Sequence, residues 1–314
     1  MEHFQVPIYL AAMVLGGIVG FTAPSSGSVL EHAINPVLAA LLYVTFLQVP
    51  AADLVRSLRD GRFLGAALVV NFVVVPIVVA AMFGFLPADQ AVRVGVLLVL
   101  LTPCVDYVIV FSGIAGGNSE RLLASTPLLL ILQMVLLPVF LVLFMGSDLA
   151  DIVELGPFLH AFLILIVIPL TLAWLTQAWA ARAAAGRALA SGAGTLMVPL
   201  MVAVLAIVVA SQIPKLDDNL TDVAAVIPFY VAFLAVMAFA GKYLAHAFRL
   251  DVSASRAIVF SGATRNSLVV LPLALALPAG YELAAAVVVT QTLIEVLGMV
   301  IYIRAVPTLV PDNR

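Results

Sequence analysis

The sequence predicts an all-α polytopic membrane protein: a single domain over 1–314 with ten transmembrane helices in two inverted five-helix repeats. Three observations lead to this fold class. Of the 314 residues, 64% are hydrophobic and 10% are charged, which leaves too few polar residues for the surface of a soluble domain. Basic residues gather in alternate loops, as membrane topology requires. The fourth and ninth apolar runs carry polar interruptions at matching places.

Each predicted helix is an apolar run of about 20 residues, the length that crosses a bilayer. The ten spans cover 5–22, 34–51, 63–86, 91–114, 121–145, 157–179, 192–213, 223–246, 254–277 and 283–304. They leave little of the chain for any soluble domain. The first run begins near Val6 without the basic segment and cleavage site of a secretory signal, so we expect Met1 onward to be mature protein.

Charge in the loops predicts the orientation. Most of the basic residues fall in loops on one side, namely Arg56, Arg59, Arg62, Arg121, Arg182, Arg187, Lys242, Arg249, Arg256, Arg304 and Arg314. The loops on the other side are acidic and hold only Arg93 and Lys215 as basic residues. Since basic loops stay in the cytoplasm, we expect a multi-pass protein of the inner cell membrane with both termini cytoplasmic.

The two predicted repeats, about 1–146 and about 157–306, resemble each other at a coarse level. Span four is interrupted at Pro103 and span nine near 264–267, and each is followed by an intact span. Because five is odd, the second repeat starts on the opposite side of the membrane. Paired interruptions in inverted halves are typical of a transport site near the bilayer midplane.

The interruption of span four contains Pro103, Cys104 and Asp106. Proline lacks an N–H and its ring opposes the carbonyl one turn back, so the helix should break here and leave backbone polar groups unpaired. Cys104 is the only cysteine. Its thiol is either a ligand for a soft metalloid or metal or a small hydrophobe packed in the core.

Three ionisable residues lie within predicted spans: Asp106, Arg265 and Glu295. Each costs roughly 2.5–3.5 kcal/mol at a helix centre, so each should face a cavity or a partner. Asp106 and Arg265 lie at the two breaks and are predicted neighbours, either as a structural salt bridge or in binding and proton coupling. Glu295 either carries a coupling proton or is a protonated carboxyl bonded to the next helix. Asn266, in the ninth break, is expected to touch the substrate.

Other classes of function find little support. The four histidines are scattered without metal-ligand spacing, and no nucleophile and base pattern occurs, so we expect no enzyme, no cofactor and no resident metal. No selectivity-filter loop occurs, and no nucleic-acid partner is expected. A receptor or scaffold would not need three intramembrane charges. The expected partners are the lipid bilayer, a coupling ion and a small anion or metalloid.

Several motifs belong to a recognisable pattern. Pro103 is followed about a dozen residues later by Ala115-Gly116-Gly117-Asn118, which is similar to the proline break and Ala-x-Gly-Asp/Asn turn of the bile acid/sodium symporter superfamily. Cys104, Gln133 and Leu293-Ile294-Glu295-Val296 resemble most closely the arsenical-resistance permeases of that superfamily, which export arsenite. The resemblance implies that Cys104 and Glu295 act in metalloid transport. It also implies a panel domain and a core domain in which spans four and nine cross.

Other positions differ from those permeases. The segment 260–266 is similar to the superfamily's ninth-helix break, which in sodium-coupled members begins with a glutamate. Ser261 stands there, so we do not expect a sodium site built on that acid. The permeases have Asn-Asn where this chain has Arg265-Asn266, and small or apolar residues near Asp106. An arginine at the break suits an organic carboxylate equally well.

The residues and the resemblance together predict a secondary active transporter that exports arsenite or antimonite, with H⁺ rather than Na⁺ as the antiported ion, by alternating access. Cys104 is then the soft ligand and Glu295 carries the proton, with Asp106, Arg265 and Asn266 lining the site. The alternative is an ion-coupled carrier of an organic carboxylate anion, in which Arg265 binds the anion and Cys104 only packs.

Overall fold

The structure, a computed structural model, describes residues 5–48, 60–105, 107–146, 163–216 and 220–312. Helices make up most of these ranges, and no β-strand occurs within them, which confirms the all-helical class. The helices are α1 (Gln5–Thr22), α2 (Gly27–Leu47), α3 (Gly61–Phe83), α4 (Gln90–Leu100), α5 (Tyr107–Ile114), α6 (Ser119–Met145), α7 (Ile168–Ala180), α8 (Ala184–Thr195), α9 (Met197–Gln212), α10 (Leu220–Ala247), α11 (Val252–Ala263), α12 (Ser267–Leu275) and α13 (Leu283–Leu309).

Five helices in the described ranges are long and apolar enough to cross a membrane, namely α2, α3, α6, α10 and α13. The pair α8 and α9, bent by 42°, makes a sixth if it is taken as one span. Predicted spans four and nine are each split, into α4 with α5 and α11 with α12. The count of ten spans and the inverted repeats stay predictions.

Prolines account for most irregularities in the helices. The π-helical turns Val70–Val74 and Leu163–Val167 directly precede Pro76 and Pro169, whose missing N–H groups leave a carbonyl one turn back without its helical partner. The bend between α8 and α9 falls three residues before Pro199. Helix α2 begins seven residues earlier than predicted, at Gly27, just after a short 3-10 turn over Pro24–Ser26.

The helices pack in two groups. Helices α1, α2, α7, α8 and α9 form the first bundle, with α9 in contact with both α1 and α2. Helices α3–α6 and α10–α13 form the second bundle, with α13 in contact with α4, α10 and α12. Between the bundles, α9 meets α13 and α2 meets α12. Both broken spans therefore lie in the second bundle, with one of their halves facing the first.

An ion cluster ties three helix ends together on the predicted cytoplasmic side. Arg121 Nε lies 3.0 Å from Asp60 Oδ2, and Arg121 Nη1 lies 2.7 Å from Asp251 Oδ2. Asp60 and Asp251 also cap the N-termini of α3 and α11. Partial burial opposes ionisation of Asp251, but hydrogen bonds from the Ala254 N–H, the Ser253 hydroxyl and Arg121 outweigh it and lower the pKa of this carboxyl.

Helices α4 and α13 approach each other backbone to backbone at Gly95. A methyl group added there would lie 2.8 Å from the Ala284 carbonyl oxygen and 3.0 Å from the Ala284 Cα. Small residues permit such close packing of membrane helices. This contact sets the distance between the break that follows α4 and the residues of α13 that face it.

Gly95→Ala should therefore destabilise the protein by about 1–3 kcal/mol, because the added methyl group forces α4 away from α13. Thermal unfolding of the purified protein in detergent measures the loss. Gly192→Ala is the matched control, since Gly192 is also inside a helix but has no atom within 4 Å of the added methyl group. Equal melting temperatures for the two variants would contradict the close packing.

Candidate functional site

The two chain breaks cross and pair with each other. The Asn266 N–H donates to the Thr102 carbonyl over 2.8 Å, and the Cys104 N–H donates to the Thr264 carbonyl over 3.2 Å. Pro103 and Arg265 face each other in this short antiparallel bridge. Both breaks thus occur where the sequence predicts them. Each break provides hydrogen-bond partners for backbone groups that are unpaired in the other break. Irregular backbone that is buried in a membrane requires such partners.

Glu295 on α13 lies directly against the crossing and is fully buried. Its Oε2 accepts hydrogen bonds from the Arg265 backbone N–H, over 2.8 Å, and from Gln291 Nε2. Its Oε1 bonds to the Tyr107 hydroxyl, at the start of α5. One carboxyl group therefore connects α13 with both broken spans.

The Tyr107 hydroxyl carries a single hydrogen and contacts oxygens of two other described residues. It contacts Glu295 Oε1 and lies 3.0 Å from the Arg265 carbonyl oxygen. Both contacts are full hydrogen bonds at once only when Glu295 carries a proton and donates it to Tyr107. When Glu295 is ionised, the hydroxyl turns to the carboxylate and the Arg265 carbonyl loses its donor. The hydrogen bonds of Tyr107 would therefore differ between the two protonation states of Glu295.

Arg265 is also fully buried, and its guanidinium group contacts oxygens other than those of Glu295. Its Nη2 lies 2.8 Å from Asn71 Oδ1, 2.8 Å from the Ser261 carbonyl and 2.7 Å from the Gly262 carbonyl. Its Nη1 donates to the Leu100 carbonyl over 3.2 Å. Nε is the only guanidinium nitrogen without a partner in the described part of the chain. The guanidinium thus binds protein oxygens through its two terminal nitrogens, and Nε–H remains available for another group.

Cys104 and Asn266 lie within the crossing itself. Cys104 is 1% exposed and packs in the apolar core. Asn266 caps α12 by accepting from the Val269 N–H, at 3.3 Å, while its Nδ2 donor has no partner among the described residues. The hydroxyl group of Ser267, the next residue, is also buried and also has no partner among the described residues. Two unused donors therefore lie at the N-terminus of α12, where the helix dipole favours negative charge.

A cavity of about 10 Å³, roughly one water molecule, separates the two bundles next to this point. Its walls are mostly apolar: Met13, Leu205, Val208 and Val209 from the first bundle, and Ser267, Leu271, Val288, Val289, Thr292 and Leu293 from the second. Ser267 brings one of the unused donors to the cavity. The crossing is thus nearly closed, and separation of the bundles would open it.

Four of the five predicted site residues, Cys104, Arg265, Asn266 and Glu295, meet at the crossing. Asp106 lies outside the described residues, so its pairing with Arg265 stays a prediction. No group of three or more His, Cys, Asp or Glu side chains suited to a metal occurs in the described ranges.

Sequence reasoning missed the roles of Tyr107, Gln291 and Asn71. Gln291 did carry a signal, because it precedes Glu295 by four residues and so shares its helix face. Tyr107 follows the break directly, but nothing local shows that its hydroxyl reaches α13. Gln133, singled out by the resemblance, is buried on α6 and neither of its amide atoms has a partner in the described ranges.

Residues 6–302 match the model of the SBF-like CPA transporter family, which is of bile acid/sodium symporter type. The chain belongs to the SBF-like CPA transporter family. It is accordingly an integral membrane protein of a transporter family, whose partners are the lipid bilayer and a small solute. No curated protein matches the chain. The closeness to the arsenical-resistance permeases stays a prediction.

Tyr107→Phe should lower the stability of this SBF-like transporter by about 1–3 kcal/mol, because the Arg265 carbonyl and Glu295 each lose a hydrogen bond in a buried site. Thermal unfolding in detergent measures the effect. Tyr243→Phe, at a side chain that is 74% exposed, removes the same oxygen and should leave the melting temperature unchanged. A Tyr107→Phe protein as stable as the Tyr243→Phe protein would contradict the described network.

Proposed function

We propose that the protein is a secondary active transporter that exports trivalent arsenic or antimony from the cytoplasm in exchange for protons. The observation that carries the proposal is the meeting of the only cysteine and a buried carboxyl group that contacts both broken spans at one helix crossing. Membership of a transporter family supports the general class. The choice of cargo rests on the chemistry of Cys104.

Cys104 supplies the soft ligand. Sulfur is the preferred ligand of soft metals and metalloids, and the backbone at Cys104 is fixed by its bond to Thr264. In the proposed step the thiol displaces one hydroxyl group of As(OH)₃. A sulfur–arsenic bond forms, an arsenic–oxygen bond breaks, and the thiol proton leaves with the hydroxyl as water. Hydrolysis reverses the step and releases As(OH)₃ on the other side.

Glu295 supplies the proton exchange. Its carboxyl group bonds to both broken spans, so a change in its protonation alters the bonds that hold the crossing together. A proton taken up from outside and released inside then drives the cargo in the opposite direction. The two bundles, which meet through few helices, provide the surfaces that move in alternating access.

An organic carboxylate is the second candidate cargo. The unused donors of Asn266 and Ser267 at the N-terminus of α12 suit a carboxylate group, and the apolar residues between the bundles would line a hydrocarbon tail once the bundles separate. The role first expected of Arg265 finds less support, because its guanidinium already binds four protein oxygens. A carboxylate would therefore be recognised by α12 rather than by the arginine.

Cys104→Ser should abolish arsenite resistance in an arsenite-sensitive bacterial host, with the initial rate of efflux lowered about tenfold or more, because the hydroxyl cannot replace sulfur as a soft ligand. Glu295→Gln should lower the efflux rate as strongly and remove its dependence on the pH gradient. Resistance on plates and efflux of arsenite from loaded cells measure both effects.

Ser112→Ala, a buried position on α5, is the control and should keep resistance at the same level of membrane expression. Full resistance with Cys104→Ser would rule out the thiol as ligand. If the wild-type protein gives no resistance but accumulates labelled organic carboxylates, the cargo is the second candidate. Asn266→Ala should then reduce that uptake.

A further inference from the structure

The Arg265 guanidinium lies in a cage of oxygen atoms. Four oxygens surround it within 2.7–3.2 Å: Asn71 Oδ1 and the carbonyl oxygens of Leu100, Ser261 and Gly262. The Phe233 ring on α10 presents its face 5.6 Å from the guanidinium carbon. Each of these groups is attracted to positive charge. The cage draws on both broken spans and on α3.

Three of the four oxygens belong to helix C-termini. Leu100 is the last residue of α4, and Ser261 and Gly262 lie in the last turn of α11. Carbonyl groups at a helix C-terminus lack intrahelical partners and carry the negative end of the helix dipole. In broken-helix transporters, such half-helix ends and unwound carbonyls are the groups that bind coupling cations. A positive charge is required where two of these ends converge.

The fourth oxygen is held ready for a cation. Asn71 lies in the π-helical turn of α3, and its Nδ2 donates to the Ala67 carbonyl and to Ser261 Oγ, each over 2.9 Å. With both donors engaged on one side, Oδ1 has to face the guanidinium. The Asn71 side chain is thus oriented by residues other than Arg265, and it would present the same oxygen to another cation.

No carboxylate forms an ion pair with this guanidinium in the described ranges, since Glu295 reaches Arg265 only through the backbone N–H. Arginine stays charged under all physiological conditions. Among the described residues, the oxygens that contact the guanidinium are therefore those of uncharged dipoles, as around an alkali cation in a carbonyl cage, while the Glu295 carboxyl group attracts it from a longer distance.

We propose that the Arg265 guanidinium is a tethered cation that occupies a monovalent-cation site between the two broken spans, so that the protein needs no bound Na⁺ and opens a Na⁺ site when Arg265 is removed. The cation site itself does not depend on which cargo the protein carries. Its consequence, transport without a sodium gradient, rests on the proposed function.

The test is thermal unfolding of the purified full-length protein in detergent, with NaCl against choline chloride at equal ionic strength. Arg265→Ala leaves the oxygen cage without a cation. We expect a lower melting temperature for this variant in choline, and a rise of at least about 2 °C in NaCl at concentrations well above the dissociation constant. Millimolar guanidinium chloride, a probe for the missing group, should also raise it. The wild-type protein should show no difference between the two salts.

Arg265→Met is the matched control. Its side chain fills the space but carries no charge, so it should be destabilised without any response specific to Na⁺ or guanidinium. Arg265→Lys keeps a cation and should behave like the wild-type protein in both salts. An Arg265→Ala protein that responds to neither Na⁺ nor guanidinium would overturn the proposal. So would a wild-type protein, or an Arg265→Lys protein, that NaCl stabilises over choline chloride.

These measurements need no cargo, so they separate the cation site from the proposed function. A sodium response of Arg265→Ala together with no arsenite efflux by the wild-type protein would keep the site and reject the cargo. Arsenite efflux together with no sodium response of Arg265→Ala would keep the cargo and reject the cation site.

Discussion

The structure depends on one constraint: two helices are broken inside a membrane, where unpaired backbone groups are costly. The chain meets it by crossing the breaks, so that Asn266 donates to Thr102 and Cys104 donates to Thr264. Pro103 forces the first break and removes one donor from it. The remaining carbonyls at the ends of α4 and α11 still need positive partners, and the remaining amide groups need acceptors. The charged residues of the site follow from these two needs.

Arg265 supplies the positive partner for the carbonyl groups, and Glu295 supplies the acceptor for an amide group. The guanidinium binds the carbonyl ends of both first half-helices, and the carboxyl group accepts the Arg265 N–H and contacts the Tyr107 hydroxyl. One charge is permanent, and the other is removed by a single proton. In the proposed transport cycle, such a crossing keeps a constant cation and changes its bonds through Glu295. For this reason we propose proton coupling for the carboxyl group and a fixed structural charge for the arginine.

Much of the fold could be predicted from the sequence because it depends on local chemistry. Long apolar runs specify the helices, and Pro103 and the polar residues at 264–267 mark the breaks. The side-chain network could not be predicted, because it depends on residues far apart in the chain. Asn71 fixes the orientation of a residue 194 positions away, and Tyr107 bonds to a residue 188 positions away. Three helix carbonyls contact the Arg265 guanidinium, and neither hydropathy nor the pattern of charges reveals these partners.

The most direct test of the account is arsenite flux in proteoliposomes under an imposed pH gradient or an imposed sodium gradient. For a proton antiporter with a tethered cation, an acidic lumen should drive arsenite accumulation, a proton ionophore should abolish it, and a sodium gradient alone should have no effect. Accumulation driven by sodium, or arsenite flux that is insensitive to the pH gradient, would contradict the account.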